Sequence, residues 1–143
     1  MKIEYQVFEK ENLLIHKFYD RWSTREYKDY ITFSIKNLNL GVVNKILTDL
    51  RELEAIQPLF DEINQIQAIS KEIPLDKYIN VHLVTDPMLT VASHIYQQTM
   101  SPGDKIQYTY CSTLAYSLEL LNLNINSQEA EKRINNLEFS FNA

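Results

Sequence analysis

Three short segments carry the residues best suited to chemistry: Thr48-Asp49-Leu50-Arg51, Thr85-Asp86-Pro87 and Cys111-Ser112-Thr113. Each closes an apolar run that reads as a β-strand. In an open α/β sheet, ligands gather at the carboxyl ends of parallel strands. Were the three strands neighbours, these ends would form one polar rim, with Asp49, Arg51, Asp86 and Ser112 as candidate ligand-binding residues. Asp49 and Asp86 could hold a metal or act as an acid–base pair. The same residues have a plainer use. Asp86 before Pro87, and Ser112 before a helical run, are suited to cap a helix by accepting from its free N–H groups. Asp49 can pair locally with Arg51.

Other reactive side chains are sparse. A single cysteine, Cys111, excludes an intrachain disulfide and a multi-cysteine zinc site. At the start of a helix its thiol could be activated, but a free cysteine more often packs as a small apolar residue. His16, His82 and His94 are spread over two strands and a helix at no recognised ligand spacing, and read as structural. Tyrosine is frequent, with 9 residues. Trp22, Tyr27 and Tyr30 are candidates for an aromatic interface; core-edge packing is the alternative. There is no glycine-rich phosphate loop, no Ser-His-Asp pattern and no zinc motif. The residues therefore assign no catalytic group, no metal and no cofactor.

The 143 residues suit one domain, 1–143, long enough to bury a real core. The chain is 45% hydrophobic with only 2 Gly, which argues for a globular protein without long linkers. A formal net charge of −5 argues against a nucleic-acid or anionic-membrane surface. No apolar run is long enough to cross a bilayer, and Met1-Lys2-Ile3 opens into strand-like sequence without a signal-peptide pattern. A cytoplasmic protein is the expectation.

These candidates must be positioned by regular elements. Ile3, Tyr5 and Val7 alternate with polar positions as in a strand. Lys10-Glu11-Asn12 is a turn, and Leu13–Phe18 is the hairpin partner. Ser23 and Glu26 form a capping box for a helix whose Tyr27, Tyr30, Ile31, Ser34, Ile35 and Leu38 share a face. Gly41 suits the left-handed residue after it. Lys45–Asp49 is a third strand, with Leu50–Gln57 a loop. Pro58 opens a helix with Leu59, Ile63, Ile66, Ile69 and Ile73 on one stripe and Gln67 on its polar face; Pro74 ends it. Ile79–Val84 is a fourth strand feeding a helix, Ser101–Asp104 a turn and Ile106–Tyr110 a fifth strand followed by a helix. A last helix, capped by Ser127, carries Ala130, Ile134, Leu137 and Phe141. The fold class is α/β: a mixed five-stranded sheet with an N-terminal hairpin, its first strand antiparallel, and helices on its faces.

WSTREYKDY (Trp22–Tyr30), KILTDLRELE (Lys45–Glu54) and YCSTLAYSLELL (Tyr110–Leu121), in this order after a hairpin, resemble the SpoIIAA-like fold shared by STAS domains. That resemblance covers nearly the whole chain and implies a module for a protein partner or a small apolar ligand. STAS proteins of the anti-anti-sigma kind carry a phosphorylatable Ser or Thr after the strand corresponding to Lys45–Asp49. Here the segment reads LRELEAIQPLF, without Ser, Thr or Gly, so the phospho-switch is not carried over.

Three functions stay open. The leading one is a non-enzymatic regulatory module with a protein partner or self-association. The second is a carrier or sensor of a small apolar ligand. The third is a hydrolase or metal-dependent enzyme using Asp49 and Asp86.

Overall fold

The computed structural model of the chain describes residues 1–54, 61–99 and 106–142. Strands β1 (Lys2–Phe8) and β2 (Leu13–Arg21) form the expected antiparallel hairpin. A 3-10 turn at Glu9–Glu11 closes it, ending on Asn12 in the left-handed region at φ 53°, which Asn tolerates better than most residues. Then come α1 (Thr24–Asn37), β3 (Lys45–Glu54), α2 (Ile63–Ser70), β4 (Tyr78–Leu83) and α3 (Pro87–Thr99). The chain closes with β5 (Ile106–Cys111), α4 (Leu114–Leu120), α5 (Ser127–Ile134) and β6 (Phe139–Asn142).

The sheet order is β5-β4-β3-β2-β1-β6. Strands β2 to β5 pair in parallel; β1 runs antiparallel to both of its neighbours. This order decides where the helices go. From β2 to β5 the chain steps always in one direction, and right-handed crossovers then place α1, α2 and α3 on the same face. The last connection returns across the whole sheet, so α4 and α5 cover the opposite face. Two apolar cores follow. One joins Leu14, Phe18, Ile46 and Leu50 to the first three helices. The other joins Leu13, Ile15, Leu47, Val81 and Leu83 to Leu121 and Ile134.

Several expectations are corrected. The sheet has six strands, not five. The last helix stops at Ile134, and Phe141 belongs to β6, where its ring packs 5.6 Å from Tyr30 and 5.3 Å from Phe33. Asn126, not Ser127, caps α5, accepting from Glu129 N at 2.8 Å. Strand β3 runs on to Glu54 instead of ending at Asp49. A register shift opposite Lys17–Tyr19 inserts one extra residue into it. That bulge turns both Leu50 and Leu53 to the α1–α3 core. Gly41 lies in a 3-10 turn (Leu40–Val42), and α1 ends in extended backbone at Leu38, so no left-handed glycine closes it. The capping box is half formed: Ser23 Oγ accepts from Glu26 N at 3.3 Å, while the Glu26 carboxylate takes the N-terminal ammonium at 2.5 Å. Gln67, expected on a polar face, is buried and donates to Tyr96 O at 3.2 Å. Ile63, Ile66 and Ile69 are buried as the stripe predicts. Pro58, Leu59 and Ser101–Asp104 lie outside the described residues.

Candidate functional site

A cavity of about 60 Å³ lies between the centre of the sheet and α1, α2 and α3. It exists because small side chains face each other there. The sheet offers Thr48 and Asn80, and the helices offer Ser70, Ala92 and Ser93. Large residues stand around this gap: Phe18 and Trp22 at one end, Tyr96 and Tyr108 at the other. Side chains of this size hold the helices off the sheet above the small ones, so the gap cannot collapse. One buried water needs about 10–15 Å³ on this measure, so the space is that of roughly four to six waters.

The floor is polar, and strand register builds it. His16, Thr48 and His82 are direct neighbours on β2, β3 and β4. Tyr30 O–H donates to His16 Nδ1 at 3.3 Å, His16 Nε2–H donates to Thr48 Oγ1 at 2.6 Å, and Thr48 O–H donates to Asn80 Oδ1 at 2.8 Å. With the Asn80 oxygen accepting, one direction of donation satisfies every member, and His16 carries its proton on Nε2. Asn80 Nδ2 then keeps both its N–H groups, with no protein partner for them among the described residues. His82 bonds Tyr108 through the phenol and lies 3.4 Å from Ser93 Oγ through Nδ1.

Both imidazoles are neutral. Burial draws His16 from 6.5 down to about 3. Burial, then the neighbouring His16, does the same to His82. Among the described residues no Asp, Glu, Lys or Arg lines the cavity. The walls are held by polar clasps between helices. Trp22 Nε1 donates to Thr24 Oγ1 at 2.8 Å, and Thr24 O–H donates to Glu62, next to the start of α2. Tyr27 and Ser70 hydroxyls bond at 2.9 Å.

The expected rim is dispersed. Asp49 is 0% exposed and turns to the α4–α5 face. There Arg51 binds it in a fork, Nε to Oδ1 at 3.0 Å and Nη2 to Oδ2 at 2.8 Å, and reaches Glu131 at 3.1 Å. Asp86 caps α3, which lies on the other face, accepting from Met88 N at 2.8 Å and Leu89 N at 3.0 Å. Ser112 is exposed, and the neighbouring Thr113 caps α4 instead. The two aspartates are thus committed to separate partners on opposite faces. Among the described residues no group of three His, Cys, Asp or Glu could hold a metal ion. Cys111 is buried, and burial pushes its thiol up. The proposed aromatic interface is also corrected: Trp22, Tyr27 and Tyr30 are 8%, 9% and 0% exposed and form core and cavity wall.

Sequence reasoning missed His16 and His82 as a pair. A signal was present. A strand covered on both faces reads as a near-continuous apolar run, and β2, β3 and β4 each carry polar residues inside theirs, His16 and Lys17, Thr48 and Asp49, and Asn80 and His82. Aligning those interruptions would have placed His16, Thr48 and His82 in one row.

No protein-family model matches the sequence, and no curated protein matches it. Among solved structures, the chain is similar to the anti-sigma factor antagonist SpoIIAA in its unphosphorylated form. Identity is 9%, the match covers 94% of this chain and 98% of that one, and the TM-score is 0.41. The likeness concerns the fold alone and says nothing of the site.

The site has two consequences for stability. A histidine neutral when folded but protonated when unfolded gives the unfolded chain more bound protons between pH 3 and 6.5. Its contribution is complete above the unfolded value and is lost as pH falls toward the folded one. Each such group adds a slope of up to ~1.4 kcal/mol per pH unit. His16→Leu should flatten the dependence of urea-unfolding stability on pH by about that slope between roughly pH 4 and 6; an unchanged slope would refute a neutral buried His16. On the other face, Arg51→Met strands a buried carboxylate and should cost about 3 kcal/mol. Glu131→Ala, at the wet end of the triad, should cost under ~1 kcal/mol. Equal losses in the two variants would contradict this ranking.

Proposed function

We propose that this chain is a binding module for a small, uncharged, mainly apolar ligand held between the sheet and α1–α3. The observation that carries the reading is the cavity of about 60 Å³ with an aromatic and aliphatic wall, a hydrogen-bonding floor and no charged lining residue among the described residues. A partly open pocket leaves its apolar lining facing water, and a ligand that fills it removes that surface from water. Small apolar sites of this kind bind largely by burial, at about 25 cal/mol per Å² removed from water.

Trp22 is the sole tryptophan and lines the cavity, so its indole N–H resonance reports occupancy directly. Toluene should shift that resonance saturably with one site per chain and raise Tm. Ala92→Phe, which fills the gap from α3, should abolish the shift while the protein stays folded. A wild-type protein whose Trp22 signal moves only linearly with toluene would contradict the reading.

A second reading, self-association, is favoured by one feature of α3. Met88, Val91 and Ile95 are 47%, 50% and 37% exposed. Their spacing of three then four is the a–d–a seam along which two helices pack, and a second copy would present the same seam in an isologous contact. Sedimentation equilibrium should find a monomer–dimer equilibrium that Val91→Lys shifts to monomer. A wild-type monomer at all concentrations would rule this contact out.

A further inference from the structure

Resting on the ligand-binding reading above, we infer that the cavity selects a neutral single-ring molecule carrying one oxygen acceptor, of the phenol class, and that Asn80 is the residue that selects it. The hydrogen-bond relay sets this preference. Asn80 spends its carbonyl on Thr48, and Thr48 in turn is fixed by His16. With its carbonyl turned to Thr48, the Asn80 amide has its nitrogen turned away from that hydroxyl. Its two N–H groups are therefore left facing the cavity that Asn80 lines. A partner for them must be an acceptor.

Size and charge narrow the class. Space for roughly four to six waters is that of one small ring. Aromatic pairs stand at both ends, Tyr96 packed on Tyr108 at one and Phe18 on Trp22 at the other, and offer ring surface to an aromatic guest. A carboxylate or an ammonium would enter without a counter-charge among the described lining residues, and burying an unpaired ion is far costlier than burying a paired polar group. An alkyl ring alone would leave the Asn80 donors unmet.

The test uses wild-type protein and Asn80→Leu, with phenol, toluene and benzoate as probes and the Trp22 indole resonance as readout. Asn80→Leu should weaken phenol about three- to tenfold and toluene less than twofold, with benzoate not bound by either protein. In the wild type, phenol should also move the Asn80 side-chain amide resonance downfield and toluene should leave it in place. That measurement needs no variant and so stands even if Asn80→Leu fails to fold. If phenol and toluene both bind but weaken equally, if phenol leaves the Asn80 amide unmoved, or if benzoate binds as well as phenol, this inference is overturned and the binding module survives. If neither phenol nor toluene binds the wild type, the binding module itself falls.

Discussion

The α1–α3 face of this sheet is organised by a polar row that cannot be left unpaired. Tyr30, His16, Thr48 and Asn80 are joined in one direction of donation, across an interior where an unmet donor or acceptor costs about 1–3 kcal/mol. Each link spans a different element, so the row ties α1 to β2, β2 to β3 and β3 to β4. It also pins register. A slip of one residue between β2 and β3 would turn His16 or Thr48 to the opposite face, breaking two bonds together and burying polar groups among Leu47 and Val81. Apolar packing alone tolerates swaps of similar volume; this row does not.

The two faces handle polarity in different ways. On the α4–α5 face, Asp49 is buried as an ion because Arg51 meets both carboxylate oxygens and carries the charge outward to Glu131, which is half exposed. On the α1–α3 face, the polar groups among the described residues that line the cavity are neutral imidazole, amide and hydroxyl. Charge on the one face and neutrality on the other follow from the same rule: a buried group keeps its charge only where a partner and a path to solvent exist. The neutral face is the one left incompletely filled.

Much of this was legible in the residues. The hairpin, the alternation of strand and helix, the isoleucine stripe of α2 and the capping suitability of Asp86 all rest on local chemistry, and local chemistry is what a sequence displays. β6 was misread because Ala130, Ile134, Leu137 and Phe141 keep helical spacing across a helix end; only pairing with β1, decided far away in the chain, makes Phe139–Asn142 a strand. β3 was cut short because its bulge breaks period two at Leu50–Arg51. The rim of Asp49, Asp86 and Ser112 failed for a related reason. Strand ends that are neighbours can still point their side chains to opposite faces, and that parity is set by register, not by residue type. Trp22, Tyr27 and Tyr30 looked like surface anchors because aromatic residues with polar tips serve at interfaces and at core edges alike.

What the row does chemically depends on how its histidines are held. Ser93 and His82 make a hydroxyl–imidazole pair at 3.4 Å, the composition of a nucleophile and its base. Their setting suits another role. A general base works best with a pKa near the operating pH, whereas His82 is drawn to about 3. Its orienting partner is the Tyr108 phenol, a neutral group that does nothing to stabilise the imidazolium a proton transfer would create. His16 lies on the same row, so a charge on either imidazole works against the other. An imidazole kept neutral from several sides is a fixed donor–acceptor pair, which suits it to holding the polar row in place and not to moving protons.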